Sequence, residues 1–373
     1  MVTNKEQNKL NVPHLRFPEF HGEWEKCKLG DIAEFSSVRV SSAKLDCKNY
    51  VSTENMLQDF QGVVEAKSVP NETNVISFTC GDILISNIRP YLKKIWKATF
   101  DGGCSSDVFV LHATDNVAKD YLHYAVANDK FISYVMSGAK GVKMPRGDKN
   151  QMRTYQLSLP SIQEQHKIAK LLTLLDERIA TQSKLIEKLE SLIKGLRVSL
   201  MQMENGNIVH LGEIARIYQP QTISSTELTE DGFLVYGANG IIGKYKQYNH
   251  KTEQICITCR GNTCGMVNYT KPMSWITGNA MVINTDEHQN KVCKRYLYHY
   301  LSAYNFNSII SGSGQPQIVR TPLEKLEITL PSIFDQEQKA MLLDRIQAKI
   351  EISNRVLNLY QEQKQYLLRQ MFI

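Results

Sequence analysis

A chain of 373 residues is too long for one ordinary domain and predicts two or three. Its hydrophobic content of 42% suffices for packed cores, and its charged content of 22% is ordinary for a soluble protein. The net charge of +6 permits a nucleic-acid partner without requiring one, because only clustered charge forms a binding surface. The polar N-terminus lacks a signal core and no apolar run approaches the roughly 20 residues that span a bilayer, so we expect a cytoplasmic protein without a membrane segment.

The first predicted parts are an N-terminal extension at residues 1–23 and a β-rich domain at residues 24–160. Strands are indicated by FTCGDILISNI, from Phe78, and by VFVLHAT, from Val108, because both are short apolar runs between turn residues. A helical stretch is predicted at DYLHYAVANDKFISYVM, from Asp120, and the domain ends in a strand at LPSI, from Leu159.

Two basic clusters stand out in this domain, one in RPYLKKIWK and one in GAKGVKMPRGDKNQMR, and only Asp148 opposes their charge. Glycines within the second cluster allow the backbone to approach a phosphate closely. Lysines are ordinarily solvated surface residues, but nine basic groups against one acid favour nucleic-acid contacts. The contacts that we predict here are Arg89, Lys93, Lys94, Lys140, Lys143, Arg146 and Lys149, with Lys97 and Arg153 completing the clusters.

The next predicted element is a long helix at residues 161–205, whose apolar residues recur at alternating steps of four and three. This spacing is typical of a coiled-coil seam. The seam begins at Ile168, passes through the polar Gln182 and ends at Leu196 and Leu200. Its central apolar positions are Leu172, Leu175, Ile179, Ile186, Leu189 and Ile193.

A second β-rich domain is predicted at residues 206–333, with strand patterns in FLVYGANGIIGKY, ICITCRG and AMVINT and a helical stretch in CKRYLYHYLSAYNFNSII. Cys256, Cys259 and Cys264 fall within it, but no fourth ligand follows at a short spacing. A strand with small buried thiols is the better interpretation than a zinc site, because a single CxxC is weak evidence. The cysteines are too sparse for a disulfide scaffold.

The loop SGSGQPQIVR of this domain contains groups suited to base recognition. Gln and Arg can each make two hydrogen bonds to a base edge, Gln to adenine and Arg to guanine. Asn-Gly is also a hairpin signal, so turn chemistry is an equally good explanation of Asn239. The predicted contacts in this domain are Asn239, Arg260, Asn262, Ser311, Gly312, Ser313, Gln315, Gln317 and Arg320.

The chain ends in a second long helix, predicted at residues 334–373, with a seam that includes Ile346, Ile350, Leu357 and Leu367. A helix must bury its apolar seam, and the other long helix is the natural partner. The alternative is that each helix packs only on its own domain, but the strict three-four spacing favours an antiparallel pair that forms a rod between the domains. Gln182, Ser353 and Lys364 interrupt the seams and are predicted to fix the register of the pair.

The two halves of the chain repeat one another in order, which indicates an internal duplication. KLGDIAE recurs as HLGEIAR at an offset of 182, YLHYAV as YLYHYL at 175, and LPSI at 171. We also pair Ser137-Gly138 with Ser311-Gly312, and Arg146 with Arg320, at 174. After LPSI the copies differ, since QEQ follows directly in the first, whereas in the second FD precedes QEQ and is interpreted as an insertion.

Signatures of catalysis do not occur in the sequence. It contains neither GxxxxGK[ST] nor HExxH, and no GxGxxG opens a helix after a strand. The SGSGQP segment only superficially resembles a GxSxG nucleophile turn, because it follows a helix instead of a strand. The sequence therefore predicts a protein that is not itself an enzyme and has no metal site or cofactor in this chain.

The chain resembles the specificity subunit of type I restriction–modification systems. The resemblance rests on PHLRFPEFHGEWEKCKLGDIAE, VYGANGIIGKY, SGSGQPQIVR and both LPSI…EQ junctions, and it covers the chain from Val12 onward. It implies an α+β architecture, in which two β-rich target recognition domains are joined by two long antiparallel coiled-coil helices. Each domain would bind one half of a bipartite, asymmetric target in double-stranded DNA.

The resemblance also implies partners and cofactors. Two modification subunits would dock on the long helices and use S-adenosylmethionine to methylate adenine, and two restriction subunits would use ATP and Mg²⁺ for translocation and cleavage. Two alternatives have different signatures. A coiled-coil scaffold whose β-rich domains bind proteins would show no sequence-specific DNA binding, and an autonomous enzyme on DNA would show activity in the isolated chain.

Overall fold

The computed structural model of the chain describes residues 11–201, 206–238, 240–312 and 314–373. They form two compact units. Unit 1 takes in the described residues up to Thr181 together with Leu357–Ile373, and unit 2 spans Gln182–Val356. Two long helices each supply residues to both units, α5 (Ile162–Met201) and α9 (Ile333–Met371).

The described part of unit 1 contains ten strands, four helices of nine residues or fewer and two 3₁₀ turns, at Ser42–Lys44 and Pro90–Leu92. The helices are α1 (Leu29–Ile32), α2 (Lys119–Val126), α3 (Asp129–Ser137) and α4 (Lys149–Arg153). The strands are β1 (Glu25–Lys28), β2 (Ala33–Phe35), β3 (Arg39–Ser41), β4 (Tyr50–Val51), β5 (Asn74–Phe78), β6 (Ile83–Ser86), β7 (Ile95–Lys97), β8 (Gly102–Cys104), β9 (Val108–Ala113) and β10 (Gln156–Leu159).

The described part of unit 2 contains eleven strands, three short helices and three 3₁₀ turns, at Ser225–Glu227, Asp286–His288 and Phe306–Ser308. The helices are α6 (Leu211–Ile214), α7 (Lys294–Ala303) and α8 (Arg320–Glu324). The strands are β11 (Asn207–His210), β12 (Arg216–Tyr218), β13 (Phe233–Gly237), β14 (Gly240–Tyr245), β15 (Ile255–Thr258), β16 (Val267–Tyr269), β17 (Trp275–Ile276), β18 (Ala280–Asn284), β19 (Ile310–Ser311), β20 (Gln317–Ile318) and β21 (Glu327–Leu330).

The sheets of the two units repeat one another. A four-stranded sheet has the order β2-β9-β6-β7 in unit 1 and β12-β18-β15-β16 in unit 2. Each unit also closes with an antiparallel pair of its first and last strands, β1 with β10 and β11 with β21. The internal duplication and the mixed α and β content predicted from the sequence are therefore confirmed.

The second sheet of each unit is where the copies differ. In unit 1 it has the order β3-β5-β8-β4, with β4 parallel to β8. In unit 2 it has the order β14-β13-β17, with β13 parallel to β17 and a β-bulge at Val235/Tyr236. β13 and β14 pair antiparallel, with Gly237 opposite Gly240, and Gly240 adopts a φ of +83°.

The helical stretch predicted from Asp120 is broken into α2 and α3. Ala127 leaves the helical region, and Asn128 begins a new helix by accepting a hydrogen bond from the Phe131 N–H at 3.0 Å. A side-chain cap of this kind satisfies a backbone donor at a helix start that otherwise has no partner. Asp148 caps α4 in the same way through the N–H groups of Asn150 and Gln151.

Both LPSI junctions are built around a buried glutamine. The Gln165 amide donates to the Pro160 carbonyl at 3.0 Å and accepts from the Ala118 N–H at 2.9 Å. The Gln336 amide donates to the Pro331 carbonyl at 2.9 Å and accepts from the Cys293 N–H at 2.8 Å. Gln165 and Gln336 are thus equivalent.

The equivalence of the two glutamines shows that the copies align without a gap after LPSI. The interpretation of FD as an insertion before QEQ is wrong, because Gln336 is the counterpart of Gln165. Each glutamine connects the strand end that precedes its long helix to the start of α2 or α7. This contact fixes the direction in which each long helix leaves its strand.

Replacing Gln336 by Leu is expected to lower the free energy of unfolding of unit 2 by about 3 kcal/mol. The change leaves the Cys293 N–H and the carbonyls of Lys291 and Pro331 without partners, at about 1–3 kcal/mol for a buried unpaired group. The matched control is Gln338→Leu on the exposed face of α9, with an expected effect within about 0.5 kcal/mol. Urea unfolding of the two variants checks this, and equal costs would contradict it.

The long helices pair antiparallel. In unit 2, the Gln182 amide donates to the Ser353 carbonyl at 2.9 Å, and Arg197, farther along α5, contacts Gln347, which precedes Ser353 in α9. In unit 1, the Lys364 ammonium lies 2.6 Å from the Asp176 carboxylate. All three residues that interrupt the seams are therefore hydrogen-bonded or ion-paired, and Ser353 is only 2% exposed.

The seam residues of the long helices lie in the hydrophobic cores. Unit 1 clusters Leu172 and Leu175 with Leu367, and unit 2 clusters Ile193 with Ile350. The predicted seam positions buried or half-buried in this way are Leu172, Leu175, Ile179, Ile186, Leu189, Ile193, Ile346, Ile350, Leu357 and Leu367. Within the described ranges, neither long helix nor any shorter one has the length and apolar character needed to cross a membrane.

Candidate nucleic-acid interface

Unit 1 carries an exposed loop at residues 140–146, which we call loop 1. Its ends are joined by backbone hydrogen bonds between Lys140 and Arg146, at 3.0 and 2.9 Å. Gly141 has a φ of +94°, and a Cβ there would lie 3.2 Å from the Met144 carbonyl oxygen. This tight turn therefore favours glycine.

Unit 2 carries its counterpart at residues 311–317, which we call loop 2. β19 and β20 close it, with Ser311 opposite Gln317. Gly312 has a φ of +93°, and a Cβ there would lie 2.4 Å from the Gln315 carbonyl oxygen. The turn has the same glycine conformation as loop 1, at the second residue of each loop.

The two loops are held on their units by matched contacts. The Arg89 N–H donates to the Pro145 carbonyl at 2.8 Å, and the Gly261 N–H donates to the Pro316 carbonyl at 3.0 Å. An isolated bridge joins Ile88 to Arg146 in unit 1, and another joins Arg260 to Gln317 in unit 2. The loops are therefore equivalent at a constant offset of 171 residues.

This equivalence corrects two pairings made from the sequence. Lys140-Gly141, not Ser137-Gly138, is the counterpart of Ser311-Gly312. Ser137 lies at the end of α3, where Gln151 contacts its hydroxyl. Arg146 is the counterpart of Gln317, not of Arg320, because each forms a bridge with the residue just before the anchoring N–H, Ile88 before Arg89 and Arg260 before Gly261. The pairings at offset 174 were wrong because similar residue types happen to recur at that offset, whereas the backbone contacts of the two loops correspond at an offset of 171.

Of the four cations in the basic run at residues 89–97, one is exposed, and the other three are half-buried and bonded to other residues. Lys93 forms an ion pair with Asp129 at 2.8 Å, which raises the pKa of the lysine, and Lys97 is ion-paired with Asp120. Lys94 donates to the Thr53 carbonyl at 2.6 Å, and burial, followed by the charge of Arg89, lowers its pKa. Arg89 alone is exposed.

Arg89 also has an unusual backbone. Its φ of +51° is rare outside glycine, and the equivalent residue in unit 2 is Gly261, with a φ of +85°. Strained backbone of this kind occurs preferentially at functional sites. An arginine at a position where the other copy has glycine therefore favours a functional contact of the Arg89 side chain beside loop 1.

The second basic run places Lys140 and Lys143 on the exposed surface of loop 1. The Lys140 ammonium lies 3.5 Å from the Asp148 carboxylate, and the Arg146 guanidinium lies 2.9 Å from the Asp107 carboxylate. Lys149 lies over the Phe35 ring at 4.9 Å, and burial, followed by the charge of Arg153, lowers its pKa. The Lys149 side chain therefore packs partly against the Phe35 ring, whereas the side chains of Lys140 and Lys143 are exposed.

In unit 2 the structure brings Arg260, Asn262 and Gln315 to the surface around loop 2, with Gln317 half-buried at its end. Arg320 begins α8 and forms an ion pair with Glu324 at 2.6 Å. It therefore follows loop 2 rather than belonging to it. Asn239 and Ser313 lie outside the described residues.

The cysteines near this surface are packed thiols. Cys256 lies in β15, and burial raises its pKa to about 12. The Cys259 thiol is fully buried, accepts from the Gln219 amide at 3.1 Å and contacts backbone carbonyls of residues 278 and 279. Among the described residues no three metal-ligating side chains come together.

Sequence reasoning did not select Asp107 and Asn279, which lie beside the two loops. The Asn87 N–H donates to the Asp107 carbonyl at 2.8 Å, and the Cys259 N–H donates to the Asn279 carbonyl at 3.2 Å. The two residues are therefore equivalent. An ungapped alignment backwards from LPSI pairs Pro145 with Pro316 and was the available signal for matching the loops.

The comparison with known families identifies the scaffold that carries the two loops. The model of the type I restriction modification DNA specificity domain matches residues 21–191 and again residues 203–360. The chain belongs to this family. It is a type I restriction–modification specificity subunit, and this family supplies the non-catalytic recognition subunit.

Individual specificity subunits are similar to the chain over different lengths. The MjaVIII specificity subunit of Methanocaldococcus jannaschii is 24% identical over 94% of this chain and 92% of its own length. The EcoprrI specificity subunit of Escherichia coli is 32% identical over 36% of this chain and 34% of its own length.

Two solved structures from type I restriction–modification systems share the fold. The type I S subunit from M. genitalium has a TM-score of 0.69 at 16% identity, covering 97% of this chain and 99% of its own. A chain from a study of complex assembly and conformational transition of the type I restriction–modification system has a TM-score of 0.55 at 17% identity, covering 92% and 96%. The predicted architecture of a duplicated specificity subunit is thereby confirmed.

Proposed function

We propose that this specificity subunit binds a bipartite, asymmetric target in double-stranded DNA, with one half-site read by each unit. The family establishes a specificity subunit, and the division of the target between the units goes beyond it. The observation that carries the proposal is the pair of equivalent loops. Loop 1 and loop 2 have the same turn and the same anchors, but one presents lysines and arginine and the other serine and glutamines.

Equivalent scaffolds with different side chains are suited to reading different sequences. The exposed cations beside loop 1 neutralise phosphates, which gives affinity without sequence information. The glutamines of loop 2 offer paired donor and acceptor groups that match a base edge in the major groove. A duplicated protein whose loops have diverged therefore suits a target whose two halves differ.

The proposal includes the partners that perform chemistry. Modification subunits would bind S-adenosylmethionine and methylate adenine, and restriction subunits would bind ATP and Mg²⁺ and cleave DNA. The paired long helices are the proposed docking element for the modification subunits. Methylation requires the adenine to leave the base stack, so the units would hold the flanking base pairs while a partner extrudes it.

Mapping methylated adenines in a host that carries this chain with its modification subunits tests the proposal. We expect one bipartite motif with a fixed spacer and two unlike halves. The control is the same host with the modification subunits alone, in which this motif should be unmethylated. An assembled complex that methylates without a defined motif, or binds no DNA sequence preferentially, would instead favour a scaffold whose β-rich units bind proteins.

A further inference from the structure

The structure places one residue of each copy at the same backbone position beside the loops. Arg146 and Gln317 are the last residues of loops 1 and 2, and each forms an isolated bridge with the segment that follows β6 or β15. The residue after each donates its N–H to the equivalent carbonyl, Gly147 to Asn87 at 3.0 Å and Ile318 to Cys259 at 3.0 Å. Arg146 and Gln317 therefore occupy equivalent backbone positions in the two units.

The side chains at this position differ together with a neighbour. Arg146 is held by the carboxylate of Asp107, and 54% of its side chain remains exposed. The counterpart of Asp107 in unit 2 is Asn279, so an Arg and Asp pair in one copy corresponds to Gln and Asn in the other. The charge of the neighbour has changed with the charge of the loop residue, while the surrounding backbone contacts are retained.

We propose that this shared position reads one base pair in each half-site, with Arg146 recognising guanine in the first and Gln317 recognising adenine in the second. The inference rests on the proposed function and adds the base class. The Arg fork donates twice to guanine O6 and N7, and a Gln amide donates to adenine N7 while accepting from N6. Asp107 acts as a positioning residue that holds the guanidinium plane, since one of its oxygens accepts from Arg146.

The other side chains near the loops are less suited to this role. Lys140 and Lys143 carry point charges on flexible stems, which suit phosphates better than a base edge. Arg320 is directed along α8 by its ion pair with Glu324. Gln315 is exposed in the middle of loop 2, whereas Gln317 is fixed by the β19–β20 pair and the bridge to Arg260.

Methylation mapping with the complete modification complex tests the assignment through two reciprocal variants. Gln317→Arg is expected to change one adenine of the second half-site to guanine and leave the first half-site unaltered. Arg146→Gln should change one guanine of the first half-site to adenine and leave the second unaltered. Gln289→Arg, which adds the same charge at an exposed position of unit 2 outside loop 2, is the control and should preserve the motif.

The outcomes separate this inference from the proposed function. If the wild-type complex has a bipartite motif but both variants methylate the same motif, the assignment is overturned and the proposed function stands. A wild-type first half-site without guanine on either strand also overturns it. If the wild-type complex has no defined motif, the proposed function itself is wrong.

A measurement on the wild-type complex tests the assignment of Arg146 even if the variants fail to fold. Each guanine of the first half-site is replaced in turn by 7-deazaguanine, which keeps base pairing but removes the N7 acceptor. At one guanine the affinity should fall by less than the roughly 150-fold upper limit of a lost bidentate contact, because only one of the two hydrogen bonds is removed. Binding that is insensitive to deaza substitution at every guanine would overturn the assignment of Arg146.

Discussion

DNA binding by the complex is expected to become less dependent on salt concentration when Arg89, Lys140 and Lys143 are all replaced by glutamine. These three side chains are exposed at or beside loop 1. Each cation that neutralises a phosphate of duplex DNA contributes about 0.9 to the slope of log affinity against log salt concentration. The triple variant should therefore flatten the slope by up to about 2.7, as measured by titrations at several salt concentrations.

The sequence preference of this variant should stay the same, because phosphate contacts position a protein without reading bases. The matched control replaces Lys93, Lys94 and Lys97 by glutamine, which removes the same charge from the neighbouring basic run. Those lysines contact Asp129, the Thr53 carbonyl and Asp120. An equal change of slope in the control would show that total charge, and not the loop, determines the salt dependence.

The contrast between these lysines shows why the site was only partly predictable. The sequence indicates that residues 89–97 are rich in cations, but the pairing of Lys93 with Asp129 joins residues 36 positions apart. Local pattern contains no information about such a contact. The distinction between the exposed cations of the loop and the half-buried lysines of residues 93–97 therefore required the tertiary structure.

The fold was more predictable because its signals are local and repeated. The spacing of apolar residues predicted both long helices, and the recurrence of KLGDIAE and LPSI predicted the duplication. The correct register of the two loops was missed because its matching residues, Arg146 and Gln317, differ in type. Backbone hydrogen bonds made by Pro145 and Pro316 reveal it, since backbone geometry is retained when side chains diverge.

The N-terminal segment is attached to the start of α5 by an ion pair that is largely shielded from water. Arg16 makes two hydrogen bonds of 2.8 Å to the Glu164 carboxylate, which is 1% exposed, and it also donates to the Gly22 carbonyl. Glu164 lies in the first turn of α5, where the helix dipole favours a negative charge. The Leu15 N–H further donates to the Gln370 carbonyl of α9 at 3.0 Å.

Replacing Arg16 by Met is expected to lower the free energy of unfolding of unit 1 by about 3–5 kcal/mol, because it leaves the buried Glu164 carboxylate without its partner. Arg16→Met combined with Glu164→Gln should recover part of the loss, since the buried charge is then absent. Urea unfolding followed by tryptophan fluorescence, to which Trp24 and Trp96 of this unit contribute, measures both variants. The double variant separates the cost of an unpaired charge from the loss of packing by the arginine stem.

The matched control is Glu19→Gln, which breaks the ion pair between Lys167 and Glu19 in the same part of unit 1 and keeps the Lys167 ammonium over the Phe17 ring. Both side chains of that pair are nearly half exposed, so water and salt already screen it, and its loss should cost no more than about 1 kcal/mol. A cost for Arg16→Met no larger than that of Glu19→Gln would contradict the role of Arg16. The comparison tests burial directly, because the two ion pairs join the same short N-terminal segment to the same end of α5.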